Sequence, residues 1–383
     1  MPSVDTSAPA PLHVLEMATQ FGVGGITRHI LALRDSLRDG GHRVTLGGTA
    51  AAWAGPENET DFLALPTRLV SGEGGSVPVR LINTARSVWL LRGWLKAHRP
   101  DLIHAHESAP ALVANLARKG LGIPLAVTYH GSEPERIAGF GAIARKADLV
   151  ITPSHRSADD LAAIGGVPRD RLKVLGLGVN PPPDDSAEEI AALRAELLGD
   201  GDRLIITIAR LERQKGIDIL IDSIARIIQT HPEFRFVVAG DGPDEEKLTA
   251  RARALGVDRH LRFLGRVARP LLYLRAADLF LLTSRWEALP FTIVEAFQAG
   301  IPAVAAACSG VVELIDDSVG AVVPIGDVAA ISAAVTGILS DDEKRSAMAG
   351  AALALSKHDR FNPDWVHRQF EKTYYELSGR PGP

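Results

Sequence analysis

Short apolar runs alternate with longer amphipathic segments along most of this 383-residue chain, and this alternation constrains the fold more than any other feature. Apolar runs of strand length cover residues 12–17, 42–46, 101–106, 124–130, 149–152 and 172–175 in the first half. They cover 204–209, 235–239, 261–264, 279–283, 303–306 and 321–323 in the second half. Helical spacing between consecutive runs predicts right-handed βαβ units and parallel sheets.

The alternation is interrupted at residues 180–185, where three consecutive prolines occupy positions 181–183. Proline cannot continue a helix or a central strand, so this segment predicts a stiff linker. The chain is also longer than the roughly 100–200 residues of one domain. We therefore expect an α/β protein with two doubly wound, Rossmann-like domains, whose ligands bind where the carboxyl ends of the strands lie.

Composition excludes several classes of protein. A formal net charge of −4 lacks the basic footprint of a dedicated nucleic-acid binder. Cys308 is the only cysteine, which excludes an intramolecular disulfide and fits a reducing compartment. Residues 1–11 do not have the pattern of a signal peptide, and no apolar run reaches the roughly 18 residues of a membrane span. We expect a cytoplasmic protein, with the inner face of the membrane as an alternative location.

A glycine-rich turn, Gly22-Val23-Gly24-Gly25, joins the first strand to the first helix. Glycine lets the backbone approach a ligand closely, and a helix N-terminus favours an anion. Thr27 takes the last position of the G-x-G-x-x-G pattern, which weakens a dinucleotide-binding interpretation. A plain strand-to-helix turn remains the alternative.

Histidines end two strands of the first domain. His104 and His106 are two residues apart and share one face of a strand. With Glu107 they could ligate a metal, although no further Cys/His cluster completes such a site. His130 ends the next strand, where a structural histidine and a polar group at a reacting centre are both open interpretations.

Two cations follow the first strand of the second domain. Arg210 stands at its carboxyl end and Lys215 just before the next helix. Arginine offers a planar fork and lysine a point charge, so the pair could converge on a diphosphate. A solvated charged loop is the alternative.

Two carboxylates flank a predicted helix start at Pro290. Glu287 precedes the helix and Glu295 lies on its second turn, where carboxylates can accept hydrogen bonds from sugar hydroxyls. The alternative is a glycosidase acid–nucleophile pair, which needs carboxyl groups about 5 Å apart.

The order of these motifs resembles that of glycosyltransferase family 4, whose members are retaining nucleotide-sugar transferases of the GT-B fold. The resemblance runs from about residue 12 to residue 323 and is strongest over 203–324. The motifs that carry it are Gly24-Gly25 with His29, His104-Ala105-His106, Thr128-Tyr129-His130-Gly131, Arg210 with Lys215-Gly216, Gly240-Asp241-Gly242-Pro243, Phe263 with Gly265, and Glu287 with Glu295.

The resemblance implies two Rossmann-like domains facing across a cleft. Residues 1–180 would bind the acceptor, 181–360 the nucleotide sugar, and a final helix within 361–383 would cross back to the first domain. The implied catalytic residues are His130, Glu287, Arg210 and Lys215. The implied donor-binding residues are Gly24, Gly25, Arg210, Lys215, Phe263, Gly265, Val267, Glu287, Leu289, Pro290 and Glu295. His106 and Glu107 are assigned to the acceptor side.

The resemblance further implies transfer with retention of configuration, with no cofactor and no essential metal. The expected donor is a UDP-sugar, with GDP-mannose second. The expected acceptor is a hydroxyl of a glycan, a lipid-linked glycan or a small metabolite. Ala288 departs from the glycine that usually follows the first carboxylate, which bears on donor choice. A sugar-nucleotide epimerase and a non-catalytic nucleotide-sugar sensor are the alternatives.

Two segments of the first domain bear on the acceptor. Residues 47–80 match the family poorly and are expected to shape the acceptor pocket. Residues 86–99 form an amphipathic helix with Leu90, Leu91, Trp94 and Leu95 on one face. That face either packs on its own sheet or gives the domain peripheral contact with anionic lipid.

Overall fold

A computed structural model describes residues 9–22, 24–50, 61–71, 75–181 and 185–382. Parts of the predicted acceptor segment (51–60 and 72–74), of the linker (182–184) and of the glycine-rich turn (residue 23) lie outside the described residues. The chain divides into two units. The first comprises Met1–His130, Pro134–Gly178 and Pro363–Pro383, and the second Gly131–Glu133 and Val179–Asn362.

The first unit contains a parallel sheet flanked by helices. In the described residues its strand order is β3-β2-β1-β4-β5-β6-β7. The strands are β1 (His13–Phe21), β2 (Arg43–Ala50), β3 (Phe62–Ala64), β4 (Leu102–His106), β5 (Leu125–Thr128), β6 (Leu149–Thr152) and β7 (Leu172–Val174). The helices are α1 (Gly25–Asp39), α2 (Val77–His98), α3 (Ser108–Ala117), α4 (Pro134–Ala144) and α5 (His155–Ala163), joined by α13 (Pro363–Ser378) from the end of the chain.

The second unit repeats this design. Its described strands are also parallel, in the order β10-β9-β8-β11-β12-β13. They are β8 (Arg203–Ile208), β9 (Phe234–Ala239), β10 (Leu261–Phe263), β11 (Leu279–Leu282), β12 (Ala303–Ala306) and β13 (Gly320–Val323). The helices are α6 (Ala187–Leu198), α7 (Ile217–Ile227), α8 (Glu245–Ala254), α9 (Pro270–Arg275), α10 (Phe291–Gln298), α11 (Val328–Leu339) and α12 (Asp342–Leu355).

The strand order determines where the candidate site residues lie. In each sheet the sequence order reverses beside the first strand, between β1 and β4 in one unit and between β8 and β11 in the other. Doubly wound sheets bind ligands outside the carboxyl ends of the strands at this switch point. Gly24 follows β1 and Glu107 follows β4, whereas Arg210 follows β8 and Glu287 follows β11.

Apolar packing covers both faces of the first sheet. Leu91 and Leu95 of α2 are fully buried in the core on one face. On the other face, Phe370 and Tyr374 of α13 pack with strand residues and α1. The C-terminal helix therefore completes the core of the first unit.

Helix α2 carries the predicted apolar face and a second apolar surface that the sequence analysis did not identify. The predicted face packs on the core, with Leu90 and Trp94 partly buried there. Leu81, Ile82 and Trp89 are instead 65, 67 and 75% exposed. Within the described ranges no helix is long and apolar enough to cross a membrane.

Candidate functional site

An ion pair occupies the switch point of the second unit. Lys215 Nζ donates to Glu287 Oε1 at 2.6 Å, and Ser284 Oγ donates to the same oxygen at 2.7 Å. The Glu287 side chain is only 7% exposed and that of Lys215 21%. A buried carboxylate needs such partners because desolvation otherwise penalises its charge.

A glycine positions the lysine. Lys215 ends a 3₁₀ turn, and Gly216 then takes the left-handed conformation (φ 63°) before α7 begins. A Cβ on Gly216 would lie 2.1 Å from the carbonyl oxygen of Thr283. Only glycine therefore allows the lysine turn to approach the end of β11 this closely.

The loop that carries Glu287 is fastened to the lysine turn. Arg285 makes two hydrogen bonds to the Asp218 carboxylate, at 2.9 and 2.7 Å. These hydrogen bonds hold the pKa of Asp218 below its ordinary value. Gln214 Nε2 also donates to the carbonyl of Trp286 at 3.0 Å. The contacts fix the backbone of the loop independently of the Lys215–Glu287 pair.

Gly310 supports the same loop from the side of β12. A Cβ at this position would lie 1.4 Å from the carbonyl oxygen of Ala288. Ala288, the residue that departs from the family pattern, is itself buried. The backbone of 288–289 therefore rests directly on Gly310.

The other predicted donor-binding residues of this unit lie around the pair. Arg210 is 57% exposed and contacts Glu212 at 3.3 Å, so it is not drawn into the Lys215–Glu287 pair. Glu295 lies on the second turn of α10 and is buried. Leu289 and Pro290 are buried in the segment that leads into α10, which begins at Phe291 as predicted.

The predicted base-binding loop lies at the end of β10. Phe263 packs against the core of the unit, and Val267 is half-buried. Gly265 has a φ of 64°, and its carbonyl accepts from the amide of Gly240 at 2.7 Å. The Phe263 ring is therefore engaged by the core of the unit, and the Gly265 carbonyl by Gly240.

In the first unit, α1 begins at the glycine turn. Gly24 is its N-cap residue, with no side-chain cap and no acidic residue in the first turn. Thr27 Oγ1 accepts from the amide of Gly22 at 3.2 Å. Thr27 thus stabilises the turn at the position where the dinucleotide pattern has glycine, and the amides at Gly24 and Gly25 begin a helix N-terminus suited to an anion.

A buried polar network lies beneath this turn. Glu16 on β1 is fully buried and pairs in register with His104 on β4. Its carboxylate contacts His106 Nε2 at 2.9 Å, His104 Nδ1 at 3.0 Å and the Tyr374 hydroxyl at 2.7 Å. His106 Nδ1 lies 2.9 Å from Nε2 of His130. The network thus leads from the sheet interior to the predicted catalytic histidine.

Burial sets the protonation of this network. It would raise the pKa of Glu16, but the charge and hydrogen bonds of His104 and His106 together lower it below its ordinary value. Burial, aided by His104, lowers the pKa of His106 to about 3. Burial and His106 also hold the pKa of His130 well below its usual range. An ionised carboxylate and two neutral imidazoles follow at pH 7.

Sequence analysis missed part of this network. The shared face of His104 and His106 is present, but their acidic partner is Glu16 rather than Glu107. Glu107 is instead the N-cap residue of α3, with a φ of 75° that non-glycine residues rarely adopt. A lone acid inside the apolar run 12–17 was the available signal for Glu16; nothing in the sequence distinguished Tyr374.

The chemistry of this cluster admits a metal as well as a proton network. One ligand atom each from Glu16, His104 and His106 lie within 4.8 Å of one another. The same atoms are mutually hydrogen-bonded, and His104 Nε2 has a further partner, Thr128 Oγ1, at 2.6 Å. Hydrogen bonding therefore accounts for the polar contacts of the His104 and His106 imidazoles.

Two family models match the chain. The model described as "Glycosyltransferase Family 4" matches residues 23–181, and "Glycosyl transferases group 1" matches residues 189–354. The matches fall on the two units in turn and include most of the residues discussed above.

Relatives and solved structures agree with these matches. Phosphatidyl-myo-inositol mannosyltransferase of Mycolicibacterium smegmatis is 28% identical over 374 residues, covering 93% of this chain and 91% of the relative. D-inositol 3-phosphate glycosyltransferase of Kribbella flavida is 28% identical over 363 residues, covering 86% of each chain. Anabaena HepE in complex with UDP-glucose has a TM-score of 0.79 at 23% identity, covering 96% of this chain and all of HepE.

Two Rossmann-like units, matched in order by the two family models and by full-length relatives, establish the class of the protein. The chain belongs to glycosyltransferase family 4 and has the GT-B fold.

Proposed function

We propose that this glycosyltransferase moves a sugar from a nucleotide diphosphate, a UDP-sugar first and GDP-mannose second, to an acceptor hydroxyl. The observation that carries the proposal is the Lys215–Glu287 pair at the switch point of the second unit. The pair places an ammonium group suited to binding a diphosphate beside a carboxylate suited to accepting hydrogen bonds from sugar hydroxyls. The UDP-glucose complex of HepE supports the choice of base, and the mannosyltransferase relative supports the second candidate.

In this proposal Lys215 and Arg210 bind the leaving diphosphate. Arg210 is exposed and loosely paired, so it can turn towards an incoming anion at little cost. Lys215 would exchange part of its contact with Glu287 for a phosphate oxygen. Preorganised cations stabilise the charge that develops on a leaving group, which is commonly the largest catalytic contribution.

Glu287 and Glu295 bind hydroxyls of the donor in this proposal, Glu287 on the transferred sugar and Glu295 on the ribose. Leu289 and Pro290 border the sugar, and Gly265 and Val267 border the base. Gly24 and Gly25 bring backbone amides towards the diphosphate, and His130 contacts the reacting sugar. His106 and Glu107 are placed on the acceptor side.

We further propose transfer with retention of configuration and without an essential metal. The departing phosphate would take the proton of the acceptor hydroxyl on the same face of the sugar. The bond from the anomeric carbon to phosphate breaks as the bond to the acceptor oxygen forms. Lys215 and Arg210 would supply the positive charge that a metal provides in other transferases.

The relatives suggest where to look for the acceptor. Two of them carry phosphatidyl-myo-inositol or inositol 3-phosphate in their names, and a glycogen synthase of Mycobacterium tuberculosis is 26% identical over 366 residues. An acceptor screen should therefore include an inositol phosphate, phosphatidylinositol vesicles and an α-glucan.

The reaction is tested with the full-length protein, UDP-glucose, UDP-galactose, UDP-N-acetylglucosamine and GDP-mannose, and these acceptors, with and without EDTA. A new glycoside by mass spectrometry, with the anomeric configuration of the donor by NMR, is the expected product. Isomerised nucleotide sugar without a glycoside would support an epimerase instead. Binding without turnover on any acceptor would support a sensor, and loss of activity in EDTA would contradict metal independence.

Peripheral membrane contact is proposed for α2. Its exposed Ile82 and Trp89 are seven residues apart and lie on one face, with Arg86 between them exposed as well. Sedimentation with vesicles of phosphatidylglycerol should retain the wild type, and Ile82→Glu/Trp89→Glu should abolish the retention. Leu353→Glu, at an exposed apolar position of α12, is the control and should bind as wild type. Equal binding of all three would exclude α2.

A further inference from the structure

Glu16 is a fully buried acid that the proposed chemistry does not use. Its two oxygens receive three groups: Tyr374 Oη at 2.7 Å on Oε1, with His106 Nε2 at 2.9 Å and His104 Nδ1 at 3.0 Å on Oε2. An ionised carboxylate only accepts hydrogen bonds. Each partner must therefore donate, which assigns the protons of the network.

The assignment passes through His106 to His130. Because Glu16 accepts, the proton of neutral His106 sits on Nε2 and its lone pair is on Nδ1. That lone pair lies 2.9 Å from Nε2 of His130, so His130 Nε2 donates. Neutral imidazole carries one proton. Nδ1 of His130 is therefore left as an acceptor.

The contacts of Tyr374 and His104 with Glu16 are consistent with this assignment of protons. The Tyr374 hydroxyl donates to Glu16, and the single Nδ1 proton of His104 is shared between the Tyr374 oxygen at 2.6 Å and Glu16 Oε2 at 3.0 Å. The other ring nitrogen of His104, Nε2, has the Thr128 hydroxyl as its partner at 2.6 Å. Glu16 has no proton to give to His106, so the proton of His106 stays on Nε2. The helix α13, through Tyr374, helps to hold the carboxylate in place.

We propose that Glu16, acting through His106, is a positioning residue that fixes His130 as the Nε2-protonated tautomer, so that Nδ1 accepts a hydrogen bond from a hydroxyl of the transferred sugar. The contact between His130 and sugar rests on the proposed function. The tautomer does not, because it follows from contacts within the first unit. An outer partner that sets the tautomer of an imidazole determines whether its free nitrogen donates or accepts.

The tautomer is measured by long-range ¹H–¹⁵N correlation on the full chain labelled with ¹⁵N-histidine at pH 7.5. The His130 signals are assigned by their loss in His130→Gln. We expect a pyrrole-type Nε2 and a pyridine-type Nδ1 in the wild type. A protonated Nδ1 would overturn the proposal, and so would signals showing a metal on His104 and His106 that EDTA removes.

Variants test whether Glu16 is the cause. Glu16→Gln should give His130 a mixture of tautomers, because an amide can donate to His106 as well as accept from it. The matched control is Glu371→Gln, which removes the carboxylate of a second pair in the same unit, 3.0 Å from His42, and should leave His130 unchanged. If Glu16→Gln does not fold, Glu16→Ala removes the acceptor of the His106 proton altogether and should have the same effect. A wild-type His130 spectrum in the folded Glu16 variant would overturn the proposal.

Sugar binding separates this proposal from the proposed function. UDP-glucose, but not UDP, should shift the His130 Nδ1 signal, and Glu16→Gln should lower kcat/KM about tenfold, the loss of one well-placed hydrogen bond, with the Kd for UDP unchanged. No transfer by a wild type that has the expected tautomer would contradict the proposed function alone. Transfer with no Nδ1 shift on UDP-glucose would overturn the sugar contact.

Discussion

Lys215 Nζ lies 2.6 Å from Glu287 Oε1, so the ammonium that is proposed to bind phosphate also neutralises the carboxylate proposed to bind sugar. The two residues are 72 positions apart and are brought together by the reversal of strand order between β8 and β11. Under the proposed function, the pair therefore couples donor affinity to the integrity of the loop after β11.

Lys215→Met tests the proposed contact between Lys215 and the diphosphate. It keeps much of the side-chain volume but removes the charge, so UDP should bind about 10–100-fold more weakly, the worth of a charge-assisted hydrogen bond. Isothermal titration with UDP measures the change. Lys247→Met, at an exposed position of α8 in the same unit, is the matched control and should bind as wild type. Unchanged affinity in Lys215→Met would remove the residue from the diphosphate site.

Glu287→Gln tests the proposed contact between Glu287 and the transferred sugar. The amide can still accept from Ser284 Oγ, but it cannot pair electrostatically with Lys215. Discrimination between UDP-glucose and UDP-galactose, measured as the ratio of kcat/KM values, should change more than the Kd for UDP. Equal losses for both sugars and for free UDP would argue against a contact between Glu287 and the sugar.

Gly310→Ala should disturb the same loop without touching a polar group. The added Cβ would stand 1.4 Å from the carbonyl of Ala288, so backbone must move at a cost of at least about 1–3 kcal/mol. Urea unfolding and transfer activity should both fall. Gly337→Ala is the control, because a Cβ added at this position of α11 would have no atom within 4 Å, and this substitution should stabilise the protein slightly. Normal activity in Gly310→Ala would mean that the loop is not held there.

Sequence was most informative where strands are buried on both faces. Parallel strands covered by helices form nearly continuous apolar runs, and the predicted runs coincide with twelve strands of the described structure. The missed strand, β3, has only three residues and is defined by pairing with β2, Leu46 opposite Phe62. Pairing of this kind depends on tertiary context that local pattern does not contain.

The position of the candidate residues at strand ends was also predictable from the sequence. In a doubly wound fold, ligands bind at the carboxyl ends of the strands. Glu16 was not predictable, because its partners His106 and Tyr374 lie 90 and 358 positions away. On α2 the sequence predicted the face that packs on the core but not the exposed apolar residues Leu81, Ile82 and Trp89, because both sides of the helix carry apolar residues. Only packing decides that Leu91 is buried while Trp89 is exposed.

His29 provides a test through pH. Burial, followed by the charge of His130, lowers its pKa well below 6.5 in the folded chain. Unfolding therefore takes up a proton below pH 6.5, and stability should fall as the pH decreases, by up to about 1.4 kcal/mol per pH unit. His29→Phe should make this slope shallower by about one proton between pH 6.5 and 5, measured by urea unfolding. The two proteins should have equal slopes above pH 7.5. An identical slope throughout would mean that His29 is not buried as a neutral ring.

The most direct test of the account is calorimetric titration of the full-length wild type and Lys215→Met with UDP-glucose in the presence of EDTA. The account predicts clear binding by the wild type that the chelator does not affect, and binding about 10–100-fold weaker by the variant. A folded wild type that binds neither UDP-glucose nor GDP-mannose, or a variant that binds as tightly as the wild type, would contradict it.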